Sequence, residues 1–207
     1  LEQQAGFILP ITTRELLPLA NAADRFLAAG VTPILSPAPV LRVANDKGYT
    51  YDAMCAAGLT VPEYRRVRNL SEMIEVLEAG TATKRRIFKP ASGNGSRGFG
   101  IVMAQNEPQH RNILTEKPGQ ALYRLNELPY LLPEQFETDM LVCEYLPGKE
   151  YSVDLLTSHG QLHYALVRSR EKMIGGISVR GRFEAHPQIL EQTEQICKLL
   201  QLHGPVG

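Results

Sequence analysis

A chain of 207 residues can build one sizeable core or two small lobes, and 43% hydrophobic residues exclude a globally disordered chain. Lys plus Arg number 22 and Asp plus Glu number 22, a balance that gives no reason to expect nucleic acid or an anionic membrane as a partner. No apolar run approaches the roughly 20 residues that a membrane helix needs, and the first residues carry no signal-peptide pattern.

In chain order, Gly6-Phe7-Ile8-Leu9-Pro10 reads as the tail of a buried strand, and Thr12 with Glu15 forms a capping-box signature. Leu16, Ala20, Ala23 and Leu27 then recur at helical spacing as far as Gly30, a C-terminal stop. Pro18 conflicts with a regular helix from Thr12 and calls for a later start or a kink. Residues 31–35 form a second short strand, ended by Ser36-Pro37-Ala38-Pro39. Asp46 caps a helix running to about Ala57, stopped by Gly58. A strand at 64–67 precedes a helix capped by Ser71, whose Met73, Ile74 and Leu77 share a face. Residues 87–90 and 99–104 read as two strands around a glycine-rich loop. Residues 106–138, broken by Pro108, Pro118, Pro129 and Pro133, read as loops and short helices. Strands at 140–146, 151–157 and 162–170, joined by turns at Pro147-Gly148 and His159-Gly160, suggest an antiparallel meander. Pro187 opens a last helix lined by Ile189, Thr193, Ile196 and Leu200, and a further strand is expected where the chain stops at Gly207.

Cys55, Cys143 and Cys197 stand far apart with no CxxC spacing, which reads as reduced, buried thiols of a cytosolic protein. The five histidines are scattered, and none is assigned to a metal or to catalysis.

Three segments carry chemistry. Gly93, Gly95 and Gly98 satisfy GxGxxG, but the segment that follows is β-rich rather than helical, so the dinucleotide-fold reading fails its context. No Gly-Lys-Ser/Thr ends the loop, so the Walker reading fails too. What remains is a glycine flap closing over phosphates with its backbone N–H groups, or a plain hairpin with a long polar turn. Glu144 ends a strand, and Glu150 lies six residues on, beyond Pro147-Gly148. Two carboxylates so placed suit an adenine amine and ribose hydroxyls; the alternative is a solvated turn. Arg168, Arg170 and Lys172 alternate along a strand and face one side with no acidic partner in register. Arg180 and Arg182 lie near in sequence. The row suggests phosphate or acyl-phosphate contact, or else a solvated edge strand.

Taken in order, these segments resemble the ATP-grasp superfamily, especially the ATP-binding domains of carbamoyl phosphate synthase large chains and related carboxylate–amine ligases. The resemblance rests on Asn45-Asp46-Lys47-Gly48, Gly58-Leu59-Thr60-Val61-Pro62, Ile87-Phe88-Lys89-Pro90 with the glycine loop, and Glu144-Tyr145-Leu146-Pro147-Gly148-Lys149-Glu150. Gly175-Gly176-Ile177-Ser178 and Leu202-His203-Gly204-Pro205-Val206 complete the order, so the blocks span residues 6 to 206. It implies an α+β ATP-grasp fold: two α+β subdomains clasping a nucleotide cleft, at 45–138 and 139–207, after the remnant of a doubly wound α/β lobe at 1–44. Lys47 and Lys89 would contact ATP phosphates and the adenine edge, and Ser92, Gly93, Gly95, Ser96 and Gly98 would form the flap. Glu144 would accept from the adenine amine beside main-chain groups of Tyr145 and Leu146, and Glu150 would bind the ribose. Arg168 and Arg170 would be the catalytic cations.

The implied reaction turns a carboxylate into an acyl phosphate that an amine or ammonia attacks, with ATP and Mg²⁺ as cofactors. The family's magnesium ligands follow the Gly-Pro-Val block, so they are expected beyond Gly207. Without an initiating Met, the chain reads as a piece of a longer cytoplasmic enzyme, incomplete for turnover alone. The alternative is a non-catalytic nucleotide-binding module that lacks the metal site. Homo-oligomerisation is left open.

Overall fold

The capping box at Thr12 and Glu15 forms as expected and starts the first helix one residue later, in a computed structural model that describes residues 5–93, 97–107, 121–174 and 177–207. Gly95, Ser96, Pro108, Pro118, Gly175 and Gly176 therefore lie outside the described residues. The chain divides into two units. One comprises Leu1–Thr60, Lys149–Met173 and Ser178–Gly207, and the other Val61–Gly148 with Ile174–Ile177. The divisions differ from those expected after residues 44 and 138, because the segment holding Lys47 joins the chain from Lys149 onward.

In the first unit, β1 (Phe7–Ile8) and β2 (Thr32–Pro33) pair in parallel, with helices α1 (Thr13–Asn21) and α2 (Ala23–Ala28) between them. This is the expected strand–helix–strand pattern. Pro18 neither delays nor stops α1; the break comes at Ala22, whose N–H still reaches the carbonyls of Pro18 and Leu19. Helix α3 (Ala38–Ala44) was not foreseen. Its prolines sit in the first turn, where a missing N–H costs nothing because that donor has no intrahelical partner. Helix α4 (Lys47–Ala56) is capped by Asp46, whose carboxylate accepts the Tyr49 N–H at 2.9 Å. Cys55 on this helix is exposed, which corrects the expectation of a buried thiol; Cys143 and Cys197 are buried.

The second unit is a five-stranded sheet. Its strands are β3 (Tyr64–Asn69), β4 (Arg86–Pro90), β5 (Gly100–Val102), β6 (Leu122–Tyr123) and, after the short helix α6 (Leu128–Leu131), β7 (Gln135–Glu144). The order is β3-β7-β4-β5-β6. Helix α5 (Leu70–Gly80) packs Met73 and Leu77 with Val67, Phe88, Val102, Met140 and Val142 into one core. Its cap is Asn69, which accepts the Glu72 N–H, and not Ser71. Strand β7 begins five residues earlier than its apolar run shows, because Gln135 to Asp139 alternate polar side chains on a strand still paired with β3.

The remaining chain returns to the first unit with β8 (Tyr151–Ser158) and β9 (Gln161–Ser169). A two-stranded ribbon of β10 (Lys172–Ile174) and β11 (Ile177–Arg180) follows, and then α7 (Pro187–Leu200) and β12 (Gly204–Val206). The meander is overturned: β8 pairs with β9 and β12, while β7 pairs with β3 and β4. Pro147-Gly148 thus leads out of one sheet, whereas His159-Gly160, both with positive φ, makes the tight turn.

Candidate functional site

Strands β4 and β7 set out the second unit's share of the expected residues. Their register pairs Arg86 with Glu144, Ile87 with Cys143, Phe88 with Val142 and Lys89 with Leu141. Because side chains alternate along a strand, Lys89 shares a face with Ile87, Leu141 and Cys143. Glu144 shares the other face with Arg86. Lys89 is half-buried, and its charge partly offsets the burial that pushes the Cys143 thiol above its ordinary value. The β4–β7 ladder ends at the Arg86–Glu144 pair, so Tyr145 and Leu146 lie past it and Leu146 is exposed.

A recess of about 240 Å³ opens at this end of the sheet, lined by Glu63, Lys84, Arg85, Arg86, Glu144, Tyr145 and Pro147. One Glu144 oxygen accepts the Glu63 N–H at 3.1 Å, and the Glu144 N–H donates to the Glu63 carbonyl at 2.9 Å. Arg86 donates to the Glu63 carboxylate at 2.9 Å and to the Gly80 carbonyl at 3.2 Å. That hydrogen bond, with the charge of Arg86, holds the Glu63 carboxyl below its ordinary value. On the opposite side, Arg85 forks onto Glu107 through bonds of 2.8 and 2.6 Å and lies 5.9 Å from the centre of the Tyr145 ring. The pairing lowers the Glu107 pKa and raises that of Arg85. Tyr145 is thus held by a side chain that is itself fixed at two atoms.

Glu63, Arg85, Arg86 and Glu107 were missed by sequence reasoning. The run Lys84-Arg85-Arg86 just before a strand was the only signal, and its partners stand about 20 residues away on either side.

Strand β5 pairs antiparallel with β4, Phe88 opposite Gly100, so the glycine loop joins two neighbouring strands. Its start is pinned by the Ala91 N–H to the Asp139 carbonyl at 2.8 Å. Ser92 is exposed, and Gly93 and Gly98 hold φ of 119° and 73°, a backbone that L side chains rarely adopt.

The first unit carries Lys47, Glu150, Arg168 and Arg170. Lys47 is the half-buried first residue of α4. The expectation that the cations lack acidic partners is overturned. Arg168 lies 3.3 Å from Asp154, Arg170 bonds Glu150, and Arg180 and Arg182 both bond Glu171, at 3.0 and 2.9 Å. Arg170 and Lys172 are not on the strand of Arg168 either, since β9 ends at Ser169 and Lys172 begins β10. Asp154 and Glu150 were invisible in sequence because they come from β8 and the residue before it: Ser152 pairs with Arg168, placing Glu150 and Asp154 on the same face. Among the described residues, no group of three or more His, Cys, Asp or Glu side chains converges as a metal site. No described helix is long and apolar enough to cross a membrane.

Residues 136–207 match the family described as ATP-grasp in the biosynthetic pathway with Ter operon. No curated protein matches the chain. Among solved structures it is similar to VanG D-Ala:D-Ser ligase from Enterococcus faecalis, with a TM-score of 0.65 and 18% identity over 97% of this chain and 57% of that one. It is also similar to D-alanine–D-alanine ligase from Bacillus anthracis complexed with ATP, with a TM-score of 0.58 and 14% identity over 99% of this chain and 62% of that one. L-amino acid ligase from Bacillus licheniformis aligns with a TM-score of 0.56 and 15% identity, over 91% of this chain and 44% of that one. The chain thus spans between 44% and 62% of the length of these solved ligases. With the glycine loop between β4 and β5 and the strand-end residues 144–146 in the expected order, this agreement establishes that the chain has the ATP-grasp fold.

Proposed function

We propose that this chain is the ATP-binding part of a ligase that activates a carboxylate as an acyl phosphate for attack by an amine. The observation that carries it is the end of β7, where Tyr145 and Leu146 leave the ladder beside the recess while Lys89 stands on β4. Main-chain groups past the last ladder pair have no strand partner and suit the hydrogen-bonding edge of a purine. Glu144 keeps its second oxygen for the adenine amine, because the Glu63 N–H takes the first. Lys89 would neutralise phosphate, and the loop of Ser92, Gly93, Gly95, Ser96 and Gly98 would close on it. Glu150 would accept from the ribose hydroxyls, and Arg168 and Arg170 would meet phosphoryl oxygens.

The similar structures named for D-Ala, D-Ser and L-amino acids favour an amino acid as the attacking amine, over the ammonia of a carbamoyl phosphate synthase-like reaction. Magnesium would neutralise phosphate charge in such a reaction. The described residues do not form its ligand set, so no step is assigned through it. A cytoplasmic setting, in which Cys55, Cys143 and Cys197 stay reduced, belongs to the same reading.

Calorimetric titration with ATP tests it. The chain should bind ATP, Lys89→Ala should weaken binding about tenfold or more through loss of a charge-assisted contact, and Lys198→Ala on α7 should not. Failure of the unaltered chain to bind ATP would remove the proposal, and equal losses in both variants would remove Lys89 from it.

A further inference from the structure

Strand β9 is the outermost strand in its sheet of order β12-β8-β9, so one of its edges faces away from β8. The C-terminal part of that edge is taken. The Ser169 N–H donates to the Arg182 carbonyl at 2.9 Å, and the Val167 carbonyl accepts the Glu184 N–H at 3.0 Å. In an antiparallel ladder alternate residues turn their N–H and C=O to opposite sides. Ala165, two residues before Val167, therefore aims both groups at the same edge, and no described residue bonds them. An open strand edge of this kind is a template for pairing with another chain.

Two features flank it. On one face a groove of about 540 Å³ runs between β9 and α7, walled by Leu162, Ala165, Pro187 and Leu190 and rimmed by Glu191 and Glu194. Both glutamates are exposed, and neither forms an ion pair with a described residue. On the opposite face Tyr164 and Leu166 are 74% and 56% exposed.

A strand laid along this edge presents alternate side chains to the two faces. A second copy of β9 fits poorly, because twofold pairing sets Glu191 and Glu194 of both copies on one side of the joined sheet, where like charges repel. A segment that alternates cations with apolar residues satisfies the carboxylates on one face and Tyr164 with Leu166 on the other. We propose that the β9 edge is a docking site for an extended basic segment of another protein, which adds as a strand beside Ala165 with its cations against Glu191 and Glu194.

The test is fluorescence anisotropy at low salt, with the full chain and a labelled peptide that alternates lysine with valine. The peptide should bind, and its counterpart with glutamate for lysine should not. The lysine peptide N-methylated along its backbone keeps its side chains but loses its ladder donors, and should not bind either. Glu191→Gln combined with Glu194→Gln, on exposed helix positions, should weaken the lysine peptide about threefold to tenfold, the size of two rim ion pairs. Ala165→Pro removes the outward N–H without removing a bond to β8 and should abolish binding; if it does not fold, the N-methylated peptide decides on the unaltered chain. No binding of the lysine peptide, binding that survives N-methylation, or an affinity unmoved by the glutamate pair overturns the proposal. If sedimentation shows the unaltered chain to be a dimer that Ala165→Pro dissociates, a second copy occupies the edge and the basic segment is refuted.

Discussion

Gly100 shows what one hydrogen atom in place of a methyl group permits. A Cβ there would stand 2.2 Å from Cζ of Phe88 and 2.9 Å from Cδ2 of Tyr123, two rings packed in the second unit's core. Gly100→Ala should therefore destabilise the chain by about 1–3 kcal/mol, as overpacking of a tight core does. Phe88→Leu in the same chain should restore part of the loss. Urea unfolding of both single variants and the pair measures this, and strictly additive losses would show that the ring is not the obstacle. His203 is the residue with a pH signature. Its ring stacks on His159 with centroids 4.4 Å apart, while its backbone N–H and carbonyl bracket the Ser36 hydroxyl at 2.8 and 3.1 Å. Burial first, and then the charge of His159, hold its pKa below the ordinary 6.5. The unfolded chain therefore takes up this proton before the folded chain does. The contribution to stability is full above about pH 6.5 and is lost as pH falls through that value toward the lowered one. Denaturation midpoints should drop between about pH 7.5 and pH 5.5, and drop less in His203→Gln; parallel curves would remove His203 as the cause.

At the scale of elements, caps and turns decide where helices begin, and two candidates competed for α5. Asn69 is extended and accepts the Glu72 N–H at 2.9 Å, and Glu72 reaches back to the Arg68 N–H at 2.8 Å. Ser71 lies inside the first turn and takes no part in this reciprocal pair. Asn69→Ala should cost about 1 kcal/mol and Ser71→Ala should stay within about 0.5 kcal/mol, both read from thermal unfolding. The reverse order would return the cap to Ser71. The same reasoning explains α3, whose Pro37-Ala38-Pro39 start looks like a loop in sequence but fits a first turn. Helix α1 continues past Pro18, which lies inside it, and breaks at Ala22.

Across the whole molecule, most elements were legible because their causes are local. The Thr12–Glu15 box, the Asp46 cap, the His159-Gly160 turn and the glycine loop each depend on residues a few positions apart, and each forms where the sequence places it. The order of motifs that resembles ATP-grasp proteins was also readable, and the fold agrees with it. Strand partnership was not readable. Strands 140–146, 151–157 and 162–170 look like one meander, yet β7 finds β3 and β4 while β8 takes β12, whose Gly204 lies 47 positions from its partner Thr157. Nor could the sequence show that Arg168 and Arg170 meet Asp154 and Glu150, or that Lys84 to Arg86 border a recess with Glu63 and Glu144. Composition, periodicity and backbone preference act within about one turn of chain, so the sequence by itself determined where helices, turns and glycine bends occur. Backbone ladders and ion pairs are satisfied by any partner that the packed chain brings within hydrogen-bond distance. Only the tertiary structure therefore decided which strands pair and which charges are already taken.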